Sequence, residues 1–339
     1  MVTVANVAQR AGVSIATAGR VLSGTGYASE EARRAVLEAA REIGYVPNQI
    51  ARSLRTRRTQ LAGLLIGDVE NSFYSAIAKN VESVAKNAGY HIVLCNSNDD
   101  PATEKEYLQL LEGMRVDGII ITPTGRNQAY LRRLVEKGTV IVQIDRRTDG
   151  LKADAILLDN KEAARAAVSH LIAAGHARIG ILTGPLDLLT ARERLAGYQQ
   201  ALTEHGVQIS PDLIRAGSFL HDYATEAAAE LLKLRPAPTA IFAANNVLAE
   251  GCLQALGGAG MRVPRDMSVV AVDDVPWMSM ISPPLTAVRQ PVADMARSAA
   301  ELLLRRLRED GPISPSTSVF HSDLIIRGSV APAKKSARA

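Results

Sequence analysis

Apolar residues near the amino terminus recur at three- and four-residue steps, and each run opens on a hydroxyl residue. Thr3 is placed to cap a helix whose inward positions are Val4, Val7, Ala8 and Ala11, and Gly12 ends it. Ser14 caps a second helix with Ala18, Val21 and Leu22 inward, so Ile15, Ala16, Thr17 and Arg20 share the opposite surface. Ser29, Glu30 and Glu31 start a third, with Val36, Leu37, Ala40 and Ile43 as its expected buried stripe and Gly44 as its stop. Together these predict a small all-α headpiece with a helix-turn-helix over residues 1–46.

From about residue 60 the pattern changes. Short apolar runs, Leu61 to Ile66, His91 to Cys95, Val116 to Thr122, Val140 to Ile144, Ile179 to Leu182, Ala240 to Ala243 and Ser268 to Val272, alternate with helical patterns. The helices expected are Tyr74 to Ala88, Glu104 to Met114, Lys161 to Ala174, Arg192 to His205 and Ala224 to Leu234. That alternation is the mark of parallel βαβ units, and two series of them predict an α/β domain of two lobes with doubly wound parallel sheets. In such sheets ligands settle at the carboxyl ends of the strands, which makes the cleft between the lobes the expected pocket.

Charge sharpens the reading of the headpiece, because a short helical pair with glycine in its turn also occurs in folds that never touch nucleic acid. Residues 1–59 hold nine basic and four acidic side chains, a balance of +5, while the remainder is −1. The excess positive charge thus sits where a polyanion would dock. The outer face of the second helix is then the surface expected to enter a major groove.

The residues Val7-Ala8, Ala11-Gly12-Val13-Ser14, Thr17, Arg20-Val21-Leu22, Gly44-Tyr45-Val46-Pro47-Asn48 and Ala51-Arg52-Ser53-Leu54 resemble the lactose/galactose-repressor family of bacterial transcription regulators. The resemblance implies that Ile15, Ala16 and Arg20 read base edges, with Arg20 suited to bidentate bonding with guanine, and that Thr17 lies near the backbone. Thr3 and Ser14 complete the DNA-binding set in this part of the chain. Gly19 departs from the family pattern, where a serine or similar donor is usual, so a contact is expected to be lost and the helix weakened by up to about 1 kcal/mol. Residues 47–59 resemble the family's hinge helix and linker, with Asn48, Ala51, Leu54 and Arg55 at DNA and Leu54 as a wedge between base steps. The alternative is an ordinary linker with one exposed leucine.

The resemblance continues through Arg115-Val116-Asp117-Gly118, His170-Leu171-Ile172, Thr183-Gly184-Pro185-Leu186, Val263-Pro264 and Pro283-Pro284-Leu285-Thr286. It implies the fold of periplasmic sugar-binding proteins over residues 60–330. One lobe would span about 60–160 and 291–321, the other about 161–290 and 322–330. The effector residues it implies are Phe73, Tyr74, Asp145, Thr190, Arg194, Phe219, Asn245, Asp273 and Gln290. Aromatic faces beside groups that bond hydroxyls bidentately suit a small sugar or polyol. Phe73 and Tyr74 could instead belong to the core, Asp273 could be a loop cap and Arg194 a surface ion pair. The runs around Leu94-Cys95-Asn96, Thr183 to Asp187 and Ala191 to Tyr198 are similar to ribose-type repressors, which points to a pentose.

Other classes find less support. No run approaches the ~20 apolar residues of a membrane span, and Met1-Val2-Thr3 leads into a helix instead of a signal sequence, so a cytoplasmic protein with no membrane partner is expected. Cys95 and Cys252 read as buried core residues. There is no Gly-x-Ser-x-Gly, Gly-Lys-Ser/Thr loop, His-Glu-x-x-His or Cys-x-x-Cys motif, so neither an enzyme nor a cofactor or metal is expected. His170 and His176 read as helix caps or surface residues, Asp99-Asp100 as a solvated turn, Gly257 to Gly260 as a helix end, and Ala331 to Ala339 as a disordered tail. The expected partners are a palindromic operator, a small-molecule effector and a second copy of the chain, since one helix-turn-helix reads a half-site too short for selectivity. Trp277 to Ile281, apolar for a loop, is a candidate for the subunit contact, with a cap on the core as the rival reading. The remaining alternative for the whole chain is a solute-binding protein of the transport type.

Overall fold

The computed structural model describes residues 2–24, 26–46, 58–309 and 314–333. The chain divides into two compact units, Met1–Thr59 and Gln60–Ala339. In the first unit the hydroxyl caps set the helix starts. Helix α1 (Val4–Ala11) begins where the Thr3 hydroxyl accepts from the Asn6 amide while Asn6 Oδ1 accepts from the Thr3 amide, and it stops at Gly12 with φ 67°. Helix α2 (Ile15–Ser23) is capped by Ser14 through the Thr17 amide at 3.1 Å, and α3 (Glu30–Glu42) by Ser29 through the Ala32 amide at 3.2 Å.

Val7, Ala8, Ala18, Val21, Val36, Ala39 and Ala40 form the headpiece core. One expectation fails here. Leu37 is 46% exposed and Ala39 takes the buried position, because residue 37 lies about 100° round the helix from Val36, off the stripe that Val36, Ala40 and Ile43 share. The hinge residues Asn48, Ala51, Leu54 and Arg55 lie outside the described residues.

The second unit holds two sheets. The first contains β1 (Leu61–Ile66), β2 (His91–Asn96), β3 (Gly118–Ile121), β4 (Val140–Ile144), β5 (Asp154–Leu158) and β11 (Thr317–Phe320), in the order β11-β5-β4-β3-β1-β2. All its pairings are parallel. The second contains β6 (Ile179–Thr183), β7 (Ile214–Ala216), β8 (Ala240–Ala243), β9 (Ser268–Val272), β10 (Thr286–Arg289) and β12 (Asp323–Ile325), in the order β12-β10-β9-β8-β6-β7. Only β12 runs antiparallel. Among the first five strands of each sheet the order is the same, with the switch point beside the first strand.

Helices α4 (Ser72–Asn87), α5 (Pro101–Gly113), α6 (Gln128–Glu136) and α12 (Val292–Arg308) accompany the first sheet. Helices α7 (Asn160–Ala173), α8 (Leu189–Glu204), α9 (His221–Lys233) and α10 (Asn246–Gly258) accompany the second, and the short α11 (Trp277–Met280) follows β9. The chain therefore passes between lobes after β5, again between β10 and α12, and a third time between β11 and β12. The central strands read as unbroken apolar runs because helices cover both faces; Leu64, Leu65, Ile66 and Ile119 to Ile121 are all buried. Each such side chain contributes roughly 1.5–3 kcal/mol by leaving water.

Two further expectations are corrected. His176 is a buried residue whose ring joins three segments, with Nδ1 2.9 Å from the Thr239 hydroxyl and Nε2 3.0 Å from both the Ser268 hydroxyl and the Ala331 carbonyl. Ala331 also donates its amide to Ser268 at 3.1 Å, and the Ala333 amide reaches the Ala174 carbonyl at 2.8 Å. Residues 331–333 are thus tied to the second lobe, not a loose tail, while 334–339 lie outside the described residues.

Candidate effector cleft and DNA-reading face

On the headpiece, Ile15, Ala16 and Arg20 are exposed on one side of α2 while Ala18 and Val21 are buried on the other. Thr17 is half-buried, its hydroxyl 2.9 Å from that of Ser14. Gly19 lies within α2, and a Cβ added there would meet nothing within 4 Å. Ile15 is 61% exposed on this face.

In the second unit, strand ends build the cleft. Asp145 immediately follows β4 and Asp273 immediately follows β9, and both adopt the left-handed conformation, φ 67° and 73°. Aspartate tolerates this region better than most residues, and the bend turns each carboxylate off its strand toward the opposite lobe. Asn245 follows β8 and caps α10 through the Leu248 amide at 2.8 Å. The far end of the Phe219 ring packs on Gly184, where a Cβ would stand 2.3 Å from Cζ, so glycine after β6 is what admits the aromatic wall.

All nine effector residues expected from the sequence, Phe73, Tyr74, Asp145, Thr190, Arg194, Phe219, Asn245, Asp273 and Gln290, line one cavity of about 750 Å³ between the lobes. Phe73 and Tyr74 serve both readings: each packs in the core, with ring centroids 5.1 Å apart and edge to face, and each borders the cavity. Arg194 is buried and donates to Asn160 Oδ1 at 2.8 Å and to the Ala244 carbonyl at 2.5 Å, which rules out the surface ion pair. Asp273 accepts from Gln290 Nε2 at 2.5 Å.

The sequence reading missed Arg146 and Asp99. Arg146 is buried, donates to both oxygens of Asp99 at 2.7 and 3.1 Å, and donates to the Tyr74 hydroxyl at 2.8 Å. Tyr74 in turn donates to Asp145 at 3.3 Å. Asp99 is therefore a cleft residue, not a solvated turn; Asp100 alone caps α5, through Thr103. Position at the end of a strand was the signal available for both. Glu104, fully buried, braces the loop after β3 by accepting from the Thr124 amide and hydroxyl at 2.6 and 2.8 Å and from Asn127 at 2.8 Å.

Burial raises the carboxyls of Asp145 and Asp273 above their ordinary range, opposed by Arg146 and Arg194 for the first and by Arg194 and Gln290 for the second. Burial likewise lifts the Tyr74 phenol well above its usual value. For Arg146 burial alone would lower the guanidinium, but Tyr74, Asp99 and Asp145 outweigh it and hold it charged. Among the described residues no group of three or more His, Cys, Asp or Glu is arranged to hold a metal.

The lobes touch at several points. Asn246 donates to Asn71 at 3.1 Å, Arg126 meets Asp187 at 2.5 Å, and Arg192 lies 3.7 Å from Asp149. The Arg146 guanidinium stands 5.9 Å from the centre of the Phe219 ring.

Residues 3–48 match the bacterial regulatory proteins of the lacI family, and residues 168–330 match a periplasmic binding protein-like domain. The probable HTH-type transcriptional regulator EndR of Paenibacillus polymyxa is 34% identical over 309 residues, 90% of each chain. The chain belongs to the lacI family. Two solved members place its fold. A candidate ribose operon repressor from Burkholderia thailandensis is 32% identical, with TM-score 0.73 over 79% of this chain and 99% of that one. The lac repressor dimer bound to operator and the anti-inducer ONPF is 28% identical, with TM-score 0.86 over 97% of this chain and 99% of that one. As a lacI-family member the chain is a DNA-binding transcriptional regulator and not an enzyme. No helix among the described residues is long and apolar enough to cross a membrane.

Proposed function

We propose that the chain represses transcription as a homodimer on a palindromic operator, and that a sugar or polyol between the lobes changes its grip. In this reading Arg20 bonds a guanine, Ile15 and Ala16 contact base edges, and Thr3, Ser14 and Thr17 meet the backbone. Asn48, Ala51, Leu54 and Arg55 extend the contact into the minor groove, with Leu54 as the wedge. The observation that carries the effector half is the convergence of nine residues from both lobes on one cavity. A ligand bonded to both lobes alters their relative positions and so the spacing of paired headpieces. Such coupling is typically worth about 1–3 kcal/mol. The lac repressor dimer, solved with operator and an anti-inducer, supports the arrangement by analogy.

Electrophoretic mobility shift on the promoter beside its own gene, with and without a sugar panel, tests both halves. A retarded complex whose Kd moves about fivefold or more with one sugar is expected. Arg20→Ala should weaken that complex by about 1–3 kcal/mol. Indifference to every duplex at low salt would remove the DNA half, and an operator affinity untouched by any sugar would remove the other.

A further inference from the structure

The cleft is long and acidic. At one end Phe73, Asp273 and Gln290 also border a second cavity of about 510 Å³ beside the β10 to α12 crossover. At the other, Thr124, Arg146, Asp187 and Leu188 also border a chamber of about 110 Å³. The main cavity, about 750 Å³, thus reaches from the hinge to the outer rim. Sites of that volume enclose ligands well above the about ten non-hydrogen atoms of a pentose, and close to the about twenty-three of a disaccharide.

Charge narrows the ligand further. Asp68, Glu70, Asp99, Asp145, Asp187 and Asp273 line the cavity against three arginines. Arg126 is engaged by Asp187, Arg146 is shared by Asp99 and Asp145, and Arg194 is left to oppose Asp145 and Asp273, so six acids stand against three already engaged cations. A phosphate or carboxylate entering here meets surplus negative charge. Acceptors, in contrast, stand open. Tyr74 and Arg146 both approach Asp145 through Oδ2, leaving Oδ1 with no donor among the described residues, and Gln290 Oε1 also has none. Such groups call for hydroxyl donors.

Resting on the sugar reading of this same cleft, we propose that the effector is a neutral saccharide of two rings. One ring lies at the hinge end, bonded by Asp273 and Gln290. The second lies at the outer end against Phe219, Leu188 and Pro185, whose apolar faces suit the face of a sugar ring.

Isothermal titration of the full-length protein with D-ribose, D-glucose, glucose 6-phosphate, adenine and a set of disaccharides (maltose, cellobiose, lactose, sucrose, trehalose) tests this. At least one disaccharide should bind about tenfold or more tightly than either monosaccharide, with glucose 6-phosphate giving no heat. Phe219→Ala should cost that disaccharide about tenfold more than it costs either monosaccharide, and Phe219→Leu, which preserves apolar bulk, should lie between. A monosaccharide that binds as well as the best disaccharide, or a phosphosugar that binds better than glucose, overturns the proposal and leaves the sugar reading standing. No heat from any disaccharide overturns it too, and binding of adenine in place of every sugar takes the sugar reading with it.

Discussion

Single residues in this protein trade stability against recognition. Asp273 is buried with its carboxyl raised, first by desolvation, so its ionised form costs stability in the folded protein. Asp273→Asn keeps an acceptor for Gln290 but removes the charge. The effector-free variant should melt at a higher temperature than the parent at pH 7, a gain that fades as pH falls and the parent's aspartate takes up its proton. Effector affinity should drop about tenfold or more, because a charged acceptor is lost to a hydroxyl. Calorimetry and titration on the same two proteins check both signs. Gly19 is the headpiece counterpart. It sits inside α2 with open space around its missing Cβ, so Gly19→Ala should stabilise the headpiece by up to about 1 kcal/mol, read as the midpoint of its thermal transition. Gly19→Ser should add operator affinity if the lost donor matters.

Elements differ in what pins them. The His176 ring clips β9 to the loop before β8 and to Ala331, and burial lowers its pKa, against the Ala331 carbonyl which raises it. A histidine kept neutral in the fold but free to protonate when unfolded contributes stability above its ordinary value near 6.5. That contribution disappears as pH falls through the depressed folded value. The melting temperature should therefore decline between pH 7 and pH 5, and His176→Gln should flatten the slope while lowering the plateau. A parallel slope in the variant would show that other groups set it.

Legibility followed the same lines. Strands such as Leu61–Ile66, Val140–Ile144 and Ser268–Val272 were plain in the sequence because burial on both faces leaves an uninterrupted apolar run. Five strands were not: β7, β11 and β12 are edge strands of three or four residues, mostly half-buried or exposed and specified by their neighbours' hydrogen bonds, whereas β5 and β10 are interior, mostly buried runs that the reading passed over. The cleft residues were legible through the family resemblance, whereas the Arg146 and Asp99 pair joins residues 47 apart that no local pattern relates. Leu37 was misplaced because its apolar side chain outweighed its place on the helix, off the stripe of Val36, Ala40 and Ile43.

At the scale of the molecule, the lobes are joined by covalent crossovers and by a few polar ties across the cleft. Arg126 and Asp187 are both exposed, so their bond is worth about 0.2–1 kcal/mol and is screened by salt. Arg126→Ala should accelerate effector release about two- to fivefold and blunt its dependence on ionic strength, measured by stopped-flow fluorescence. An unchanged release rate at low salt would show that the bond does not hold the lobes together.

The twin left-handed aspartates carry the broadest consequence. Each sheet, after its fourth strand, makes the same bend and presents the same functional group. In the proposed effector reading the guest would be gripped by two copies of one device, one from each lobe. Altering one copy should weaken the grip and shift its preference, while the twin still offers an acceptor from the other lobe.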